Sequence, residues 1–404
     1  MTGPLDGIRV LDLTAMISGP TATMILADQG AEVIKIERPG TGDHTRLVST
    51  RRAGMSASYL NNNRNKRSVA LDLKDPRGVA AALRLAEGAD VLVQNFRPGV
   101  AARMGLGEEE VRDVAPGIVY VSISGFGEDG PYAQKPVYDP LVQSLSGLTS
   151  VQAGSDEARP RLVRTILPDK LTGHSAAQAI TAALLQRMRT GEGQHVRISM
   201  LDAVVAFLWG SDMGAHTFIG DEHPAERAQS FIDLIYETAD GYISVAVQSD
   251  REWANLCRAF DRPDWVEDPR FRTASDRQRN IDARLELTQG VLRSDTTESW
   301  LARLEAEDVP CAPVLTRREM IRHPQIVANG IVAEHPHPVA GPLRQARPAP
   351  RFSAAPYQTP SPAPLLGADT REVLAGAGFA EEEIAALLEA GVAVETEPPA
   401  EAAE

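Results

Sequence analysis

The stretch IRVLDLTAMISGPTATMILADQGAEVIKIE, residues 8–37, decides the fold. Its first part, IRVLDL (8–13), is a short apolar run rich in β-branched residues. GPTATMILADQGA (19–31) then sets small and apolar residues at helical spacing, and EVIKIE (32–37) reads as a second strand. The same alternation continues outward. RSVALDL (67–73), DVLVQNF (90–96) and GIVYVSISGF (117–126) are further strand candidates. Between them, DPRGVAAALRLAEGA opens with Asp75 as N-cap and Pro76 at the first helical position, and stops near Gly88. Strands alternating with helices imply a parallel sheet covered on both faces, an α/β doubly wound, Rossmann-like fold. Ligands of such sheets bind beyond the carboxyl ends of the strands. That rule gathers Thr14–Ser18, Glu37–Arg38, Asn95–Arg97 and Gly125–Gly127 around one crevice.

Farther along, DKLTGHSAAQAITAALLQRMR (169–189) reads as a long helix with Asp169 as N-cap or first-turn acid. HVRISML (195–201) is a strand and LDAVVAFLWGSDMG a buried helix. From about 225 the pattern changes. FIDLIYETADGYISVAV (231–247) is a β-hairpin turning at Ala239-Asp240-Gly241, helical stretches carry Trp253 and Trp300, and VPCAPVL (309–315) is a proline-bounded strand. The expected division is a large domain from 1–205 and 325–385, and a smaller α+β domain from 225–320. The proline-rich residues 340–364 read as an extended return segment. A disordered acidic tail is expected over 390–404.

Composition removes several classes. Formal charge is −14, and the eight glutamates of 381–404 account for much of it. This acidity argues against nucleic acid as a partner, which needs a basic face, but not against an anionic cofactor, whose binding local basic clusters decide. No run approaches the roughly 20 apolar residues of a membrane span. The first residues, MTGPLDGIRVLDL, lack the pattern of a secretion signal, so a cytoplasmic location is expected, with no membrane partner. The two cysteines, Cys257 and Cys311, fit a reducing compartment, and neither they nor the histidines sit at metal-ligand spacing. No metal is expected. The first strand–helix turn, DLTAMISGP, lacks the G-x-G-x-x-G that lets a backbone approach a pyrophosphate, so nicotinamide is not expected either. There is no G-x-S-x-G elbow, P-loop or H-E-x-x-H. His174 follows Asp169 by five positions, about 140° around a helix, and is a poor partner for it.

What remains is a series of cations at predicted strand ends and loops: Arg38, Arg64, Lys66, Arg67, Lys74, Arg97 and Arg103. Spacing alone permits plain solvated charges. It also permits a site for a phosphate-bearing ligand, which the planar arginine fork suits.

At this point the residues carry a resemblance. LDGIRVLDLTAMISGPTATMILADQGAEVIKIERPGTGDHTR, NRNKRSVALDLK, DVLVQNFRPGVAARMGLG, SGFGEDGPYAQKPVYDPLVQSLSGL, PDKLTGHSAAQAITAALLQRMRTGEGQHVRISMLDA and VPCAPVL follow one another in order. Together they resemble the class III CoA-transferase family (CaiB/BaiF type) over roughly 5 to 375. The resemblance implies transfer of coenzyme A from an acyl-CoA donor to a carboxylic acid acceptor, with the nucleophilic aspartate at Asp169 in PDKLTG. It places coenzyme A contacts at Ile17, Ser18, Arg38, Leu71, Lys74, Asn95, Phe96, Arg97 and Arg103, and active-site lining at Tyr138 and Asp139. It also implies an interlocked homodimer. The alternative on the same scaffold is an acyl-CoA racemase or isomerase working by α-proton exchange. Those relatives have a histidine where this chain has Tyr138, and a phenol is about three to four pK units less acidic than imidazolium. Formyl-CoA:oxalate members carry a glycine-rich loop near the start of the small domain. This chain reads AVQSDREW there (246–253), which argues against oxalate as acceptor.

Overall fold

A computed structural model describes residues 3–48, 50–220 and 233–396. Contacts divide the chain into two units, Met1–Ala228 with Gly330–Glu404, and Gln229–Asn329. The first unit is built on six parallel strands: β1 (Arg9–Asp12), β2 (Glu32–Glu37), β3 (Lys66–Leu71), β4 (Val91–Gln94), β5 (Val119–Ser124) and β6 (His195–Ser199). Their spatial order is 3-2-1-4-5-6, so the strand order reverses between β1 and β4. Val10 lies opposite Val33 on one side and Val91 on the other.

Side-chain alternation explains why these strands are apolar throughout. Leu11, Ile34, Val69 and Leu92 join one core, under the helices α2 (Pro76–Glu87) and α3 (Glu108–Val114). Val10, Val33, Val91 and Val121 join the other, beneath α1 (Ser18–Asp28) and α5 (Leu167–Thr190). A sheet covered on both faces needs no polar alternation. Each fully buried aliphatic side chain contributes about 1.5–3 kcal/mol relative to exposure. The helix signals act as the sequence implies. Asp75 caps α2 by accepting from the Arg77 N–H, Pro76 opens it and Gly88 ends it. Two further helices position the site, α4 (Asp139–Leu145) and α6 (Met200–Trp209).

Three expectations need correction. The strand read over 195–201 stops at Ser199, whose hydroxyl accepts from the Asp202 N–H at 2.9 Å and starts α6. The return segment 340–364 is not uniformly extended. Gly341–Ala346 pairs antiparallel with Val332–His337 in a two-stranded ribbon. Pro336 faces Pro342 there, and prolines are tolerated because each strand has a free edge. The disordered tail expected over 390–404 does not start at 390. Val392 and Ala393 are buried, and Ala393 and Val394 pair antiparallel with Leu71 and Ala70, covering the β3 edge. The remainder of that expected tail, 397–404, lies outside the described residues.

The second unit has a three-stranded antiparallel sheet of Ile235–Glu237, Tyr242–Val245 and Cys311–Pro313. Trp253, Trp265, Phe260, Phe271 and Trp300 form its core, with Cys257 fully buried and Cys311 packed against it. Burial pushes the Cys257 thiol up to about 12, which leaves it inert. Residues 231–232, the start of the expected hairpin, lie outside the described residues. Among the described residues no helix is long and apolar enough to cross a membrane.

Candidate active site

The site lies at the strand-order reversal, where the loops after β1 and β4 meet. The β1–α1 loop is fixed from several sides. Asn95 clasps Ala15, accepting from its N–H at 2.9 Å and donating to its carbonyl at 2.7 Å. Lys35, fully buried, donates to the Thr14 carbonyl at 2.6 Å and pairs with Asp43 at 3.1 Å. Asp43 in turn accepts from the Met16 N–H at 3.2 Å. Met16 is thereby held at φ +70°, a left-handed conformation that costs a non-glycine residue free energy and persists only under such constraint.

That loop delivers Ser18 to the start of α1, facing the start of α5. Pro168 lies in the first turn of α5 and Asp169 is its acidic residue. The two helices approach closely because position 173 is glycine. A Cβ there would stand 2.8 Å from the Ser18 carbonyl oxygen and from the Thr21 Cβ. The Asp169 N–H donates to Asp139 Oδ2 at 3.2 Å. Asp139, 4% exposed, opens α4, and its other oxygen accepts from Gln143 Nε2 at 2.6 Å. Gln143 Oε1 is occupied by the Val163 N–H at 2.9 Å, so its amide orientation is set.

These elements enclose a cavity of about 160 Å³ lined by Ser18, Asn95, Phe96, Arg97, Tyr138, Asp139 and Asp169, among others. Burial, reinforced by the neighbouring Asp139 charge, raises the Asp169 carboxyl to about 6 against the opposing pull of the Ser18 hydroxyl and N–H. Burial also raises Asp139 above the usual carboxylate range. Asp169 is therefore a poorly solvated carboxylate with no ion-pair partner among the described residues. The Ser18 N–H at a helix start stands ready to stabilise negative charge on its oxygens.

The remaining expected positions split. Ile17 and Leu71 are buried, and Leu71 belongs to the core, so either would meet a ligand through its backbone. Arg38, Lys74, Arg97 and Arg103 are exposed and form no ion pair with any described carboxylate. Arg38 bonds the Thr41 hydroxyl. The other three cations of the series are consumed within the fold. Arg64 pairs with Asp28 at 2.6 Å, Lys66 with Asp12 at 3.0 Å, and Arg67 with Glu32 and Glu372. Glu37 does not reach the crevice. Its side chain is buried against Arg46, Tyr59 and Ser68. Gly125 and Phe126 line the cavity, but the Gly127 N–H is taken by Ser124 Oγ at 3.1 Å. His174 opens instead on a separate cleft lined by Arg344 and Tyr357.

Met16 falls within the Thr14–Ser18 stretch expected at the crevice, but sequence reasoning missed Lys135, Val137 and Met200, which also line the cavity. It missed Gln143 as the brace of Asp139. Only Lys135 had a local signal, as a cation three residues before Tyr138.

Comparison with known proteins gives a consistent result. The family model described as CoA-transferase family III matches residues 5–370. The human succinyl-CoA:glutarate CoA-transferase is 36% identical over 397 residues, covering 96% of this chain and 90% of that protein. The formyl-CoA:oxalate CoA-transferase of Escherichia coli O157:H7 is 35% identical over 416 residues, covering 96% and 99%. Among solved structures, a CAIB/BAIF family protein from Brucella suis superposes with a TM-score of 0.82 at 29% identity, covering 93% of this chain and 100% of its own.

Proposed function

The chain belongs to CoA-transferase family III, and from that premise we propose that it moves coenzyme A between carboxylic acids with Asp169 as covalent carrier. The observation that carries this reading is the state of Asp169. It is a desolvated carboxylate raised to about 6, at the edge of a cavity and beside a helix N-terminus. A carboxylate in that state gains by becoming a neutral acyl derivative, because neutralisation relieves the burial cost.

The steps then balance without water. An Asp169 oxygen attacks the donor thioester carbonyl, and the coenzyme A thiolate leaves a mixed anhydride. The thiolate attacks the aspartyl carbonyl, releasing the donor carboxylate and forming an aspartyl–coenzyme A thioester. The acceptor carboxylate displaces the thiolate to give a second anhydride. The thiolate attacks its acceptor carbonyl, yielding the new acyl-CoA and regenerating the Asp169 carboxylate. Splitting one exchange into four additions lets the same donors serve each oxyanion. The Ser18 N–H and hydroxyl, which face the carboxylate and favour its charged form, are the groups we assign to that task.

Arg38, Lys74, Arg97 and Arg103, with Asn95 and Phe96, are assigned to the nucleotide and phosphates of coenzyme A, and Ile17 and Leu71 to backbone contacts. Tyr138, 69% exposed at the cavity rim, is assigned to the acyl or acceptor side. The interlocked homodimer and the cytoplasmic location belong to the same proposal.

Incubation with succinyl-CoA, then hydroxylamine and peptide mass analysis, tests the carrier. A hydroxamate at Asp169 is expected. An unmodified Asp169 together with solvent exchange of the substrate α-proton would replace this reading with the racemase. A panel of acceptors including glutarate and oxalate then defines the acid.

A further inference from the structure

On the sheet face under α2 and α3, a chain of hydrogen bonds runs from the site to the protein surface, and each donor in it can be assigned. The Phe96 N–H donates to Gln94 Oε1 at 2.8 Å, which fixes the orientation of that amide. Gln94 Nε2 therefore donates to Ser122 Oγ, at 2.9 Å. Ser122 Oγ lies 2.8 Å from His195 Nε2, and His195 Nδ1 lies 2.8 Å from Glu108 Oε2. An ionised carboxylate only accepts, so Nδ1 carries the imidazole proton. Nε2 is then an acceptor, and the Ser122 hydroxyl donates to it. The chain borders a cavity of about 120 Å³ lined by Gln94, Phe96, Glu108, Ser122 and His195.

The Ser122–His195–Glu108 constellation has the connectivity of a hydrolase triad, but Ser122 sits within β5 between β4 and β6, where the ladders engage the backbone. It lacks the exposed turn that presents a nucleophile, and Gln94 already bonds its oxygen. Its reach is toward the 95–97 turn. That turn carries Asn95, which clasps Ala15, and Arg97 at the cavity wall.

We propose that Gln94, Ser122 and His195 are positioning residues that hold the 95–97 turn in its coenzyme A-binding shape, and that protonation of His195 loosens it. This rests on the assignment of 95–97 to coenzyme A above. A protonated His195 presents Nε2–H to Ser122 Oγ, which already accepts from Gln94. The hydroxyl proton of Ser122, 5% exposed, then lacks an acceptor unless Gln94 turns over, and turnover releases the Phe96 N–H. Around His195 stand Glu108 and Arg112 of α3, Arg197 of β6, Glu128, and the edge-on Tyr120 ring of β5 at 5.1 Å. Burial and Arg197 lower the imidazole below its ordinary range against Glu108, so it is neutral at pH 7.

Calorimetric binding of coenzyme A to the full chain at pH 7.5 and 5.5, with hydrogen exchange at Phe96, tests this. Gln94→Met and Ser122→Ala should weaken binding about tenfold at pH 7.5 and speed Phe96 exchange, with kcat at saturation within about twofold of the parent. His195→Gln keeps an amide oxygen for Ser122 but cannot take up a proton. It should restore parent-like binding at pH 7.5 and abolish the additional loss the parent shows at pH 5.5. Parent-like affinity and exchange in Gln94→Met and Ser122→Ala, or an equal acid loss in His195→Gln, would overturn the proposal. A parent chain that binds no coenzyme A would instead overturn the functional reading, and Phe96 exchange in the variants would still decide whether the relay holds the turn.

Discussion

Asp12, fully buried, and Asp169, partly buried at the cavity edge, are both carboxylates of the large unit, and the fold treats them in opposite ways. Burial alone would raise Asp12, but Lys66 at 3.0 Å, Lys35 and the Thr14 and Thr23 hydroxyls overcome it and hold the group well below the usual range. Around Asp169 there is burial, a second carboxylate and only Ser18 in opposition, and its carboxyl rises to about 6. The first cluster is charge-matched and ties β1, β2 and β3 to the loop that presents Ser18. The second is left unmatched. A matched buried charge is chemically quiet, whereas an unmatched one retains a drive toward neutrality that acyl transfer can use.

Substitutions should separate the two regions. The largest effect is expected on turnover: Asp169→Ala should cut transfer by at least about 10⁴-fold in steady-state assays, without loss of coenzyme A binding. Retained turnover would end the carrier mechanism. Next is Lys66→Met, which leaves Asp12 buried with its partner removed. Denaturant unfolding should show a loss of about 3–5 kcal/mol. A loss under about 1 kcal/mol would mean that the cluster is not a matched unit.

Asp169→Asn should move stability the other way. The folded carboxyl keeps its proton to about 6, whereas its ordinary value is 3.8, so the parent loses stability as pH rises between these values. The loss is complete above the folded value. The amide escapes it and should be more stable by up to about 3 kcal/mol at pH 8, with little difference at pH 3.5. A variant less stable than the parent at pH 8 would show that Asp169 is not strained by its burial.

The same contrast explains what the sequence could reveal. The strand order, with its reversal between β1 and β4, comes only from the pairing of the strands, whereas the six strands and their helices follow from local periodicity and from caps such as Asp75. Asp169 at a helix start was legible for the same reason, and the ordered family motifs gave it a role. The use of each cation was not legible. Lys66 and Arg38 look alike along the chain, but Lys66 finds Asp12, 54 positions away, and Arg38 finds no carboxylate among the described residues. Such pairings depend on register between strands, which local spacing does not encode. The Val332–His337 ribbon was hidden by its prolines, and the Ala393–Val394 strand by the glutamates around it.

The smallest expected effect probes how much of the Asp169 shift comes from its neighbour. In the proposed mechanism the attacking group is the Asp169 carboxylate, so the parent rate should fall as pH drops through about 6. Burial is the leading cause of that position and the Asp139 charge the second. Asp139→Asn removes the charge and should move the acid limb of the pH–rate profile downward, by roughly half a unit to one unit. The substitution also has a structural cost. Both Asp139 oxygens accept, one from the Asp169 N–H and one from Gln143 Nε2, and an asparagine presents its own N–H₂ to one of them. Because Gln143 cannot turn over without losing the Val163 N–H, kcat should fall several-fold on the plateau while the limb shifts. A lower plateau with an unmoved limb would assign Asp139 to bracing alone. A limb moved upward would mean that the two carboxylates do not repel at all, and that burial by itself sets the reactivity of Asp169.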